Sequence, residues 1–284
     1  MTVAVAPGGV DARRDAARSV RIPISQIAQR HPRLDRFEDR AQRVSDQRIR
    51  RQGDGFEIDE DAVAMATMVR AKGGGSLRTM NGAQWFENGW HRSRKAGHLL
   101  HWEGETALWQ LLRLDTDGDA EAISSESVGF EWVLNGSMRR YTVDVEVVDP
   151  SGRRTLLEVK RTERDLDDPE YRLALAYVRE TCRRCGIDFR IVYRDEIFSS
   201  LVHRRNACLF ASRGFVAVEE RHMSVLGDHR RATGGETEYG ALAEALEPGH
   251  PVAGKAVVQG MLVRRLLRMD LTLRLDDASP LTID

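Results

Sequence analysis

Between Tyr141 and Lys160 the chain reads YTVDVEVVDPSGRRTLLEVK, two alternating apolar and polar stretches joined by a short turn. Few folds accommodate such a pattern. Residues two apart in a strand share a face. Pro150-Ser151-Gly152 suits a three-residue hairpin closure, two right-handed residues followed by a left-handed glycine. Asp149 then faces Arg153, and the register continues outward: Asp144 opposite Glu158, Thr142 opposite Lys160, Val143 opposite Val159, Val145 opposite Leu157. One face of the ribbon becomes apolar, and the other carries Asp144, Glu146, Glu158 and Lys160. Opposed Cβ atoms lie about 4.5–5.5 Å apart, so Asp144 and Glu158 repel each other unless a cation sits between them.

That arrangement suits phosphodiester hydrolysis, which adds negative charge to the phosphate and needs a nucleophilic water. Mg²⁺, with Mn²⁺ as a substitute, prefers carboxylates and water and serves both needs. An ammonium beside the site can orient the water and assist its deprotonation, whereas arginine is held protonated. The only lysines are Lys72, Lys95, Lys160 and Lys255, so a lysine two residues after Glu158 stands out in an arginine-rich chain. The bland alternative is a solvated hairpin face of mixed charge. A third acid is expected from a helix over Glu103–Leu114, where Leu108, Leu111 and Leu112 form an apolar stripe. Glu105 lies at the stripe's edge and is the candidate, against the alternative of an ordinary acid favoured at a helix N-terminus.

The surrounding order supports a domain of α/β class: that helix, a strand over Val128–Leu134, the hairpin signal Asn135-Gly136, a return strand over Met138–Val148, a third strand over Thr155–Lys160, a helix from Pro169 to about Cys185, and a strand over Ile187–Tyr193. Gly73-Gly74-Gly75-Ser76 marks an early break. The expected division is a charged, partly disordered extension over residues 1–80 with a helical stretch at 21–71, a catalytic domain over 81–195, and a small domain over 196–284 ending in a helix around Ala256–Met269.

The 284 residues allow real cores, and their net charge of −1 gives nucleic acid no global invitation. Asp11–Arg51, however, holds twelve Arg against six acids, a local net of +6. No apolar run approaches the ~20 residues of a membrane span, and no secretory leader is visible. Three cysteines fit a reducing compartment, so the expected location is the cytoplasm with no membrane partner.

From about Trp90 to Glu196 the chain resembles the TnsA-like endonuclease family, which has the PD-(D/E)XK, restriction-endonuclease-like fold. The resemblance rests on GWHRSRKAGHLLHWEGETALWQLLRLD, SVGFEWVLNGSMRRYTVDVEVVDPSGRRTLLEVK and CGIDFRIVYRDEI. The family's helix acid, T-P-D strand, E-V-K strand and G-x-x-F strand fall on Glu105, Asp144, Glu158 with Lys160, and Gly186 to Phe189. Val143 stands where the family commonly has Pro. The resemblance implies Mg²⁺ at Glu105, Asp144 and Glu158, cleavage of double-stranded DNA beside a transposase partner, and a winged-helix-like C-terminal part. A catalytically silent assembly subunit, or a defence or repair nuclease of the same fold, remains open.

Two further clusters have simpler readings. Cys182 and Cys185 share a helical stripe with Tyr171, Leu175 and Val178 and lack the second pair of a zinc site, so they belong to a core. His91, His98 and His101 could share a helix face, but Gly97 and Gly104 oppose a helix there. Arg92, Arg94 and Lys95 are instead expected to touch DNA phosphates, with the histidines as helpers; a plain solvated loop is the alternative.

Overall fold

The computed structural model describes residues 21–23, 58–78 and 87–284; the rest of the basic stretch and the expected disordered N-terminus lie outside these. In chain order come β1 (Arg21–Pro23), α1 (Glu60–Ala64), β2 (Thr67–Arg70), β3 (Asn88–Arg92), β4 (Leu99–Glu103), α2 (Glu105–Asp115), β5 (Ala122–Ser125), β6 (Val128–Leu134), β7 (Ser137–Thr142), β8 (Val145–Val148) and β9 (Arg154–Lys160). There follow α3 (Pro169–Arg184), β10 (Asp188–Tyr193), α4 (Arg194–Ile197), α5 (Leu201–Ser212), α6 (Glu220–Thr233), β11 (Glu236–Glu238), α7 (Tyr239–Leu246), α8 (Pro251–Val263), β12 (Leu267–Met269) and β13 (Pro280–Ile283). The class is mixed α/β, with four small sheets and eight helices among the described residues. No helix there is long and apolar enough to cross a membrane. The described residues form two compact units: those up to Glu87 with Ser124–Val147 and Gly152–Val192, and Asn88–Ile123 with Val148–Ser151 and Tyr193–Asp284.

One sheet, in the first unit, has the order β1-β2-β6-β7, and another sheet of the chain runs β10-β9-β8-β5. Asn135 and Gly136 both take positive φ, 51° and 73°, as a tight β6–β7 hairpin requires. Alternation along β6 buries Val128, Phe130 and Trp132 against Val178 and Cys182 of α3. That helix starts as its sequence dictates: Asp168 caps the Glu170 N–H, Pro169 takes the first turn, and Gly186 turns left-handed after the last. Cys182 and Cys185 are buried free thiols in this core, and burial pushes Cys185 up to about 12.

Three expectations change. Residues 21–71 are not one charged helical stretch, because Arg21–Pro23 and Thr67–Arg70 are paired strands and Ala62, Val63, Ala66 and Met68 join the core. The expected strand Met138–Val148 breaks at Val143-Asp144, so β7 and β8 serve different sheets. There Val143 N–H donates to Val128 and Glu126 N–H donates to the Asp144 carbonyl, so two chain segments cross between sheets at one corner. Alternation continues through that corner, which is why the pattern conceals it. The last expected helix, 256–269, ends at Val263; Arg265 adopts φ 61° and the chain continues into β12.

In the second unit β3 and β4 form an antiparallel hairpin pairing Trp90 with His101 and Arg92 with Leu99. Helices α5 to α8 bury Phe210, Leu242, Val258 and Met261 beside the sheet β11-β13-β12. At Gly254 the α8 backbone lies so close to the Ala243 carbonyl of α7 that no Cβ fits.

Candidate active site

The sheet-crossing corner of the first unit is where the expected carboxylates meet. Asp144 immediately precedes β8, Glu158 and Lys160 lie on the neighbouring strand β9, and the Asp144 Oδ2 accepts the Val159 N–H at 2.9 Å. That side chain takes over a bond an unbroken strand would give to a backbone carbonyl. Glu158 is 2% exposed. Its Oε1 lies 2.6 Å from Lys160 Nζ and accepts the Tyr171 hydroxyl at 2.6 Å. Its Oε2 is buried with no hydrogen-bond partner.

Charge crowding shapes the titration. Burial, then the Glu158 charge, pushes Asp144 up to about 8, against the pull of Lys160, the Val159 N–H and Arg78. Lys160 responds oppositely: burial alone would lower its pKa, but Glu158 and Asp144 outweigh that and raise it. The ammonium is therefore firmly protonated here, not readily deprotonated as expected. Its Nζ also lies 4.9 Å from the Tyr171 ring centroid.

Three neighbours escaped the sequence reading. Tyr171 carried only a core-stripe signal, yet its hydroxyl reaches both Glu158 and, at 3.1 Å, Tyr141. Arg78 donates to Glu126 at 3.3 Å, and its pKa is raised because the charges of Glu126, Asp144 and Glu158 outweigh its desolvation. Glu126 is buried, adopts φ 50°, and also accepts the Ser76 hydroxyl at 2.7 Å. A left-handed glutamate carries no mark in a single sequence. Glu146 is engaged elsewhere, because Arg70 grips it through both oxygens at 2.8 and 2.9 Å and Arg154 adds a bond at 2.7 Å.

The remaining candidates belong to the second unit. Glu105 opens α2 with its side chain 56% exposed, 3.5 Å from Arg194. Lys95 turns inward, its Nζ donating to the Leu114 and Asp117 carbonyls, so it closes the C-terminal end of α2. Burial pulls it down to about 8. His91 binds buried Asp115 at 2.6 Å, and Ser93 donates to that carboxylate's other oxygen at 2.6 Å, which leaves Arg92 and Arg94 as the outward-facing, exposed cations. The three histidines lie on or between paired strands, not on a helix.

No three His, Cys, Asp or Glu side chains among the described residues stand together as a metal centre would need. Asp144 and Glu158 supply two carboxylates, and Mg²⁺ commonly takes one or two and keeps several waters. The bare Glu158 Oε2 leaves one oxygen of the pair without a partner. On both counts the pair fits a divalent cation. No family model matches the chain, and no curated protein matches it in sequence.

Proposed function

We propose that the chain is a metal-dependent endonuclease hydrolysing phosphodiester bonds in double-stranded DNA, its first unit a restriction-endonuclease-like core and its C-terminal part winged-helix-like. The observation that carries the reading is the Asp144–Glu158 pair, Asp144 at the start of β8 beside buried Glu158 on β9, with one Glu158 oxygen held by Lys160 and Tyr171 and the other unpartnered. Asp144 and Glu158 would hold Mg²⁺, which polarises a phosphoryl oxygen and makes a water nucleophilic when bound.

The protein's own groups do the rest. Tyr171 and Lys160 fix one oxygen of Glu158, so the other keeps one direction. Lys160, protonated, offers N–H donors and a compact charge to a phosphate oxygen or to the attacking water. Arg78 and Lys160 each favour a negative Asp144, against the burial and the Glu158 charge that disfavour it. Transposition is the setting suggested by the resemblance of residues 90–196 to the TnsA-like family, with a transposase as partner.

A second reading, a DNA-binding assembly subunit without catalysis, is favoured by the missing third carboxylate among the described residues. Incubation with supercoiled plasmid in Mg²⁺, Mn²⁺ or EDTA separates the two. The nuclease reading expects nicked or linear product with either metal and none in EDTA; intact plasmid under all three conditions, with DNA still bound, supports the silent subunit.

A further inference from the structure

Within the second unit, Arg92, Arg94, His98, Leu99 and Phe215 frame a pocket of about 510 Å³ that the carboxylate site does not use. Its chemistry is one-sided. Among the described residues neither Arg92 nor Arg94 has an acidic partner. Arg92 lies over the Phe215 ring with its guanidinium carbon 3.9 Å from the centroid, and Arg94 stands 6.0 Å from the same ring. Arg264 lies close enough to Arg94 that burial and that neighbouring charge together lower its pKa. Its Nη2 donates to the Val216 carbonyl at 2.7 Å, while its Nε is buried without a partner.

His98 adds a directional group. Its Nδ1 lies 2.7 Å from the Ala96 carbonyl, which can only accept, so Nδ1 carries the proton. Nε2 is thereby the open nitrogen, and it is buried with no partner. In its doubly protonated form the ring donates from Nε2 as well. Leu99 and Phe215, 53% and 37% exposed, add apolar surface that a bare inorganic anion would not use. Crowded cations, an unpartnered histidine nitrogen and a guanidinium laid on an aromatic ring match what unpaired nucleotides meet in their binding proteins: a phosphate clamp beside a stacking surface.

We propose that this pocket binds a nucleoside phosphate, presented as an unpaired nucleotide of the DNA, with the phosphate among Arg92, Arg94 and His98 and the base against the Arg92–Phe215 stack and Leu99. It deepens the DNA-processing reading and rests on it for the source of the nucleotide. A flat guanidinium already ordered on Phe215 offers any base a stacking partner, so little sequence preference is expected.

The test uses the full chain in EDTA, where no metal-dependent chemistry intervenes, with a labelled single-stranded tetranucleotide followed by fluorescence anisotropy. Arg94→Ala and Phe215→Ala should each weaken binding roughly tenfold. Arg94→Ala should also flatten the slope of log affinity against log salt by about 0.7, the value of one phosphate contact on a single strand, while Phe215→Ala leaves that slope unchanged. Melting curves identify any variant that fails to fold, and Arg94→Lys, keeping the charge, should retain most of the salt slope. Competition by free deoxyadenosine monophosphate would support the pocket with a free nucleotide as its ligand. Wild-type affinity in folded Arg94→Ala and Phe215→Ala overturns the proposal. A chain that binds the tetranucleotide in this pattern yet cuts no DNA in any metal retains the pocket and loses the nuclease reading.

Discussion

Asp144 holds its proton up to about pH 8 in the folded chain without metal, whereas an unfolded aspartate releases it near pH 3.9. Between roughly pH 4 and 8 the folded state therefore binds the extra proton, and stability falls as pH rises through that window. Asp144→Asn keeps the shape and removes the titration. In EDTA its melting temperature is expected to vary less with pH and to exceed the wild type's at pH 8; superimposable pH profiles would contradict the crowding described at the corner. Lys160 sets a second expectation. Glu158 and Asp144 keep it charged, so Lys160→Arg should bind DNA normally. The planar guanidinium cannot occupy the place of a compact ammonium 2.6 Å from Glu158, and single-turnover cleavage should fall by roughly 10²-fold, the lower end of what positioned proton donors contribute. A rate within a few-fold of wild type would leave Lys160 as a charge only. That Asp144, Glu158 and Lys160 come together was expected from turn and alternation, but the register was not followed throughout: Thr142, expected opposite Lys160, pairs with Gly129 in the other sheet. Tyr171 and Arg78 were not legible, since they reach the corner from a helix and from a segment far away in sequence.

Among the elements, Glu146 ties β2 of one sheet to β8 and β9 of the other through Arg70 and Arg154. Burial would raise its pKa, but the two arginines overcome that and hold it below the usual carboxylate range. The linkage sign is the reverse of Asp144's: Glu146 stabilises the fold above the pKa it has when unfolded, and that contribution is lost as pH falls through the lowered folded pKa. Glu146→Ala should cost roughly 2–3 kcal/mol, discounted for partly exposed arginines, and should reduce the acid sensitivity of the fold. Urea unfolding at pH 7 and pH 4 measures both, and a loss below about 0.5 kcal/mol would mean the clamp does not join the sheets. From sequence Glu146 shared a face with the acids of the candidate site, and alternation could not tell a structural carboxylate from a chemical one. The same blindness hid the break at Val143-Asp144, where the pattern runs on while the hydrogen-bond partners change sheet. Asn135-Gly136, the Asp168-Pro169 helix start and Gly186 were legible because each is a local requirement of φ or capping.

For the whole molecule, the +6 segment over residues 11–51 contrasts with a chain of net charge −1. If half of that excess touches phosphate, deleting residues 11–51, which also removes β1, should flatten the salt dependence of duplex binding by roughly two to three units. Equal slopes for the full and truncated chains would assign the segment to a partner protein or to charge pairs of its own. The two compact units also divide the candidate residues, Asp144, Glu158 and Lys160 in one, Arg92, Arg94 and Glu105 in the other. Unit membership was not legible, because segments such as Asn88–Ile123 join their unit through contacts distant in sequence. The central claim is that the Asp144–Glu158 pair is a metal-dependent hydrolytic centre, and single-turnover cleavage by Glu158→Gln, compared with wild type at equal bound DNA and saturating Mg²⁺, tests it most directly. A fall of about 10³-fold or more with DNA affinity retained is the expected result, and cleavage by the variant at the wild-type rate would contradict it.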